Sequence, residues 1–150
     1  NGGKMRTVGD ILSAAKSGFV SIRPEATVLE ALNMMASHNV GAIVVADGRK
    51  LVGIFSERDF TRKVLLAKRQ AESTQIKEVM TREVVSVTTD LSAEECLSRM
   101  HRKGVRHLPV VKQGEVMGFI SILEVVDAVL NHRDIMITNL ERYVSETWPI

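Results

Sequence analysis

Two short runs in this 150-residue chain set a hydroxyl and a carboxylate three residues apart, directly after an apolar stretch. The first is Gly53-Ile54-Phe55-Ser56-Glu57-Arg58-Asp59 and the second Gly118-Phe119-Ile120-Ser121-Ile122-Leu123-Glu124. Each reads as a strand turning straight into a helix. A serine at that junction sits where free backbone N–H groups and the helix dipole favour an anion. A carboxylate one turn on can accept hydroxyl or cationic donors through charge-assisted bonds. The same Ser-x-x-acid spacing is also a capping box, a structural device worth about 1 kcal/mol. Spacing alone leaves both readings open.

The two runs are 65 residues apart, from Ser56 to Ser121 and from Asp59 to Glu124 alike. The elements around them recur in the same order. In the first half, 7–16 places Val8, Ile11 and Leu12 at helical spacing, and 19–22 reads as a short strand closed by Arg23-Pro24. Thr27-Val28-Leu29-Glu30 matches a capping box opening a helix with Val28, Leu32 and Met35 on one face, ending near His38-Asn39. Strands at 41–46 and 51–55 flank a turn at Asp47-Gly48. Ser56 then opens a helix to Lys68. A polar linker follows at 69–75. The second half repeats the order: helix 76–80, strand 84–87, capping box Ser92-Ala93-Glu94-Glu95, a helix ending at Lys103-Gly104, hairpin strands 108–111 and 116–120 around Gln113-Gly114, and helix 121–130. The predicted fold is α/β, two tandem β-α-β-β-α repeats at 7–68 and 76–131. An added amphipathic helix over 134–148 carries Ile137, Leu140 and Val144 on one side.

Composition narrows the function classes. A formal charge of +2 and six scattered aromatic residues do not make a basic, base-stacking surface, so nucleic acid is not expected as a partner. No apolar run approaches the roughly 18 residues that span a bilayer, so no membrane is expected either. The single Cys96 excludes an internal disulfide and a Cys-rich zinc site. It stands where the first half has Ala31, which makes it a small core residue rather than a nucleophile. His38, His101 and His132 lie on helical segments without a ligand-spaced partner, so no metal is expected. The Met34, Met35 and Met100 stripes read as core packing. Asn1-Gly2-Gly3 carries no apolar signal core, which points to the cytoplasm, or to an organelle matrix if a targeting peptide has been removed.

The repeat order, with Gly-x-x-Ser-x-x-Asp closing it, resembles the cystathionine-β-synthase (CBS) domain, and two copies resemble a CBS pair, or Bateman module. The phrases Gly-Ile-Phe-Ser-Glu-Arg-Asp (53–59) and Arg-His-Leu-Pro-Val-Val (106–111) are similar to small stand-alone two-CBS proteins related to inosine monophosphate dehydrogenase. The resemblance covers residues 7–131. It implies a non-catalytic regulatory module that binds adenine nucleotides (AMP, ADP, ATP, NAD(H) or S-adenosylmethionine) and senses energy or redox state. It also implies clefts assembled by crossing the copies. The primary cleft would combine Ser56, Arg58 and Asp59 with Val85, Val105, Arg106, His107 and Pro109. The secondary would combine Ser121, Leu123 and Glu124 with Val20, Val40, Gly41 and Ala42.

In that arrangement Val85 and Val105 would line the ring, Asp59 would take the ribose hydroxyls, and the Ser56 helix end with Arg58, Arg106 and His107 would take phosphate. The secondary cleft departs from the family pattern. Leu123-Glu124 replaces Gly-Asp, and Val40-Gly41-Ala42 offers no charge opposite, so the primary cleft is the expected nucleotide site. A homodimer and a downstream protein partner are expected as well. The competing readings are an interaction module with vestigial clefts and a regulatory fragment of a larger enzyme or transporter. An inosine monophosphate dehydrogenase activity is not expected of these 150 residues, which cannot hold a (β/α)8 barrel of about 250.

Overall fold

The computed structural model describes residues 6–15, 18–131 and 142; His132 and the predicted 134–148 helix lie outside the described residues. The elements run α1 (Val8–Ala14), β1 (Ser21–Ile22), α2 (Val28–His38), β2 (Ala42–Asp47), β3 (Lys50–Ser56), α3 (Glu57–Asp59, continuing as a π-helical turn Phe60–Leu65), α4 (Ile76–Val79), α5 (Ala93–Lys103), β4 (His107–Lys112) and β5 (Glu115–Ser121). A helix over 122–131, α6, follows β5 directly. The strands form one sheet in the order β1-β2-β3-β5-β4. The architecture is the α/β pair of repeats expected from the sequence.

Caps set where the helices begin. The Thr27 hydroxyl accepts the Glu30 amide, and the Glu30 carboxylate accepts the Thr27 amide at 2.8 Å, completing the expected box. Thr7 and Asp10 make a further box, at the start of α1. The Ser92 box is only half formed. Its hydroxyl accepts the Glu95 amide at 3.1 Å, but the Glu95 carboxylate is drawn away to the Arg102 guanidinium at 3.0 Å. Helices α2 and α5 end on left-handed Asn39 and Gly104, as their sequences suggest. On α2 the buried face is Val28, Ala31 and Met35, with Leu32 only half-buried.

The first strand of each repeat is shorter than expected. Of 19–22 only Ser21–Ile22 pairs, in parallel with Val44 and Val45. The strand expected at 84–87 reduces to Val87, whose amide donates to the Pro109 carbonyl at 3.1 Å and whose carbonyl accepts the Val111 amide at 2.9 Å. Residues 84 and 85 face a cleft instead of a neighbouring strand. Both hairpins close on two residues, Gly48-Arg49 between paired Asp47 and Lys50, and Gln113-Gly114 between Lys112 and Glu115. Gln113 and Gly114 both have positive φ, as a type I′ turn requires. The hairpins meet at Lys50 and Glu115, where the Leu51 amide donates to the Gly114 carbonyl and the Val116 amide to the Arg49 carbonyl. Those bonds exchange under the 65-residue repeat, which marks a pseudo-two-fold axis between β3 and β5.

Across that axis the leading helices change sides. Val8 and Ile11 of α1 are buried with Val87, Ala93, Cys96 and Met100 of the second repeat. Ile76, Val79 and Met80 are buried with Ile22, Val28, Ala31 and Met35 of the first. Backbone bonds fix the exchange: the Val8 amide donates to the Leu91 carbonyl and the Ile76 amide to the Ala26 carbonyl, each at 2.8 Å. The 69–75 segment is therefore no loose tether. The Thr74 carbonyl accepts the Val28 amide, the Ala71 carbonyl accepts the Leu29 amide, and Thr74 is buried.

The exchange also explains the twin glycines. A Cβ on Gly53 would stand 2.8 Å from the Thr81 carbonyl oxygen and 2.7 Å from Met80 Sδ, and one on Gly118 would stand 2.6 Å from Leu12 Cδ2. Each glycine admits the leading segment of the other repeat. Thr81 is backbone, bonded to Ile54 in both directions, so it cannot yield; Leu12 is a flexible side-chain end. Gly53→Ala is expected to lower unfolding stability by about 1–3 kcal/mol, the usual cost of overpacking. Gly118→Ala should cost less, and chemical denaturation of the two variants compares them.

Candidate functional site

The crossed helices leave two clefts, one on each side of the axis. The first has a volume of about 860 Å³. Ser56 ends β3 and caps α3, so Arg58, Asp59, Arg62 and Lys63 project from the first turns of that helix into the cleft. Opposite them, the segment before α5 brings Val84 and Val85, and the α5–β4 turn brings Lys103, Val105, Arg106 and His107. Seven of the eight residues expected in the primary cleft line it. Pro109 does not: it is buried further along β4, and its carbonyl holds Val87.

The details redistribute the expected roles. Three amides at the start of α3 are already bonded, Ser56 to Asp59 Oδ2 at 3.0 Å, Glu57 to the Gly41 carbonyl at 3.0 Å and Asp59 to Ser56 Oγ at 3.2 Å. The helix end is therefore a weak anion cradle, and cationic side chains must supply most of the attraction. Five are present, Arg58, Arg62, Lys63, Lys103 and Arg106, against the carboxylates of Glu57, Asp59 and Glu83. Asp59 is buried and accepts from Thr81 Oγ1 at 3.0 Å and from Lys63 Nζ at 3.1 Å as well as closing its cap. Thr81 comes from the other repeat, 22 residues away, and nothing in its local sequence announces it. Lys63 was legible in principle, since it stands one helical turn after Asp59. The π-helical turn, bonded from the Leu66 amide to the Thr61 carbonyl, follows directly, a geometry frequent near functional sites.

The second cleft, of about 700 Å³, contains all seven residues expected there: Val20, Val40, Gly41, Ala42, Ser121, Leu123 and Glu124. Glu124 closes the same cap as Asp59, accepting the Ser121 amide and hydroxyl at 3.1 Å, so its extra methylene does not break the motif. The walls differ. Phe19, Leu12, Met117 and Phe119 add apolar surface, and among the described residues no lysine or arginine lines the cleft. Leu123, where the first repeat has Arg58, stands largely exposed.

His107 borders both clefts. Its ring stacks on Phe119 with centroids 5.3 Å apart. Burial, aided by the Arg106 guanidinium, pushes its imidazole below the ordinary value of 6.5, outweighing the upward pull of Glu124 and Glu57. Cys96 is fully buried in the second repeat's core, and burial raises its thiol to about 11, which leaves it protonated and unreactive at neutral pH. No helix among the described residues is long and apolar enough to cross a membrane.

A crossed pair of repeats enclosing two clefts, with capped Ser-x-x-acid corners in both, defines a tandem-repeat α/β architecture. Comparison with known proteins agrees. The CBS domain family matches residues 8–66 and 76–131. The mitochondrial CBS domain-containing protein CBSX3 of Arabidopsis thaliana is 30% identical, over 96% of this chain and 74% of its own. The crystal structure of the CBS domain protein NE2398 superposes with a TM-score of 0.79 at 40% identity, covering 85% of this chain and 99% of that one. The CBS domain pair of MJ0100, solved with 5′-methylthioadenosine and S-adenosyl-L-methionine, shares the fold with a TM-score of 0.73 at 24% identity, over 83% of this chain and 95% of that one. The chain belongs to the CBS-domain family and carries two copies of the domain. In one longer plant relative the match spans only 19% of the protein.

Since the folded state disfavours the His107 imidazolium, the unfolded chain binds more protons near the ordinary imidazole value. The stabilising contribution is therefore complete above 6.5 and is lost as pH falls from there toward the lowered folded value. His107→Phe, which keeps a ring against Phe119, is expected to lose less stability than the parent between about pH 7 and pH 5. Thermal unfolding across that range measures it, and equal losses in both proteins would remove His107 as the cause.

Proposed function

We propose that the first cleft binds a phosphate-bearing adenine nucleotide and that the chain is a non-catalytic module reporting energy or redox state. The observation that carries this reading is the wall of five cations around a buried carboxylate, facing the apolar surface of Ile54, Val85 and Val105. A volume near 860 Å³ is within the range of small-molecule sites. MJ0100 supports the adenosine part, since the same fold holds two adenosine compounds there. The second cleft, without a described cation, is the weaker nucleotide site. Binding between repeats would shift their relative angle, and the difference in ligand affinity between the two angles bounds the response.

The same reading places the protein in a homodimer built on the helices. Leu65 and Leu66 at the end of α3 and Leu130 on α6 are exposed large apolar side chains, and Leu65 and Leu130 are equivalent under the repeat. A solution mass of two chains, reduced to one by Leu65→Glu with Leu130→Glu, is the expected result. A monomeric parent protein would end that part of the reading. Location in the cytoplasm or an organelle matrix remains part of the proposal.

AMP, ADP, ATP, NAD, NADH and S-adenosylmethionine are to be compared by thermal shift. At 100 times the dissociation constant, binding stabilises by about 2.7 kcal/mol, roughly 5–11 °C for a chain of this size. Asp59→Ala, measured against its own ligand-free midpoint, should lose most of the shift, whereas Glu124→Ala should keep it. An absence of shift with every compound would favour an interaction module with vestigial clefts.

A further inference from the structure

Asp59 is committed more fully than a free ribose acceptor would be. Its Oδ2 accepts the Ser56 amide and hydroxyl, at 3.0 and 3.1 Å, and its Oδ1 accepts Thr81 Oγ1 and Lys63 Nζ, at 3.0 and 3.1 Å. A carboxylate offers about four lone-pair sites, so all are in use. A sugar diol that reaches Asp59 must displace a donor. Ser56 is fixed by its cap, and Thr81 by backbone bonds to Ile54 in both directions at 2.8 and 3.0 Å. Lys63 is different. Its ammonium ends a flexible stem, and its side chain is 42% exposed, so it is the donor able to leave.

Where it would go follows from the wall it belongs to. Lys63 lines the first cleft beside Arg58 and Arg62, with Arg106 across from them. We propose that Lys63 is an exchangeable counter-ion: the ligand's ribose takes its place on Asp59, and the freed ammonium pairs with the ligand's phosphate. Lys63 thereby becomes the residue that separates nucleotides from nucleosides. A nucleoside takes the same acceptor but leaves the ammonium without an anion, so it pays for a broken ion pair that a nucleotide replaces. The second cleft lacks the device. Four residues after Glu124 stands Ala128, buried in the core, where the first repeat has Lys63. The inference rests on reading the first cleft as a nucleotide site.

The test compares AMP with adenosine by titration calorimetry on the full chain and on its Lys63→Gln and Lys63→Arg variants. The parent protein is expected to prefer AMP. Lys63→Gln should cut that preference by roughly tenfold, the usual effect of one charge-assisted contact, with adenosine bound as tightly as before or more so. Lys63→Arg should restore it. A merely structural lysine would weaken both ligands together and leave their ratio unchanged, and that result overturns the exchange while sparing the nucleotide site. A parent protein that binds neither compound overturns both.

Discussion

The structure depends on the exchange of leading helices. Without α4 the first repeat's sheet and α2 lack Ile76, Val79 and Met80, and without α1 the second lacks Val8 and Ile11. All five are buried, and each apolar side chain removed from water contributes of the order of 1.5–3 kcal/mol. That is a large share of the roughly 5–15 kcal/mol by which a domain is stable. Neither half therefore completes its own core, and the pair folds as a unit.

The clefts are a consequence of this exchange. Each leading segment enters its partner repeat past a glycine, and the one after α4 ends beside Asp59, so a residue of the second half supports the acidic corner of the first. Thr81 does this for Asp59, with its backbone locked to Ile54 and its hydroxyl on the carboxylate. The corner is thus held from both repeats, and a movement of one against the other is felt at Asp59. Under the proposed function, this corner would be the physical route by which an occupied cleft changes the relation of the halves.

Symmetry of backbone does not carry over to chemistry. Asp59 and Glu124 close caps of the same geometry, and the hairpins meet through bonds that exchange under the repeat. Around these matching corners, Arg58 is answered by Leu123, Lys63 by Ala128 and Ala42 by His107. Among the described residues, five cations line one cleft and none lines the other. His107, at the border of both and the one described imidazole lining them, is stacked on Phe119, and burial lowers its proton affinity.

Much of this was legible in the chain itself. The 65-residue repeat, the two hairpins, the ends of α2 and α5 and the place of Cys96 opposite Ala31 follow from local periodicity and turn chemistry, which act within a few residues. The fifteen residues assigned to the clefts came instead from the resemblance to a CBS pair, and all but Pro109 line them. The sequence overstated the first strands and the Ser92 box, because a strand needs a paired neighbour and a carboxylate chooses among all donors in reach. Arg102 won that competition for Glu95. What only the tertiary structure decided is the state of Asp59. Spacing shows a carboxylate one turn after a serine. It cannot show that Thr81, 22 residues on, and Lys63 already occupy it, since those bonds exist only once the crossed helices bring the two halves together.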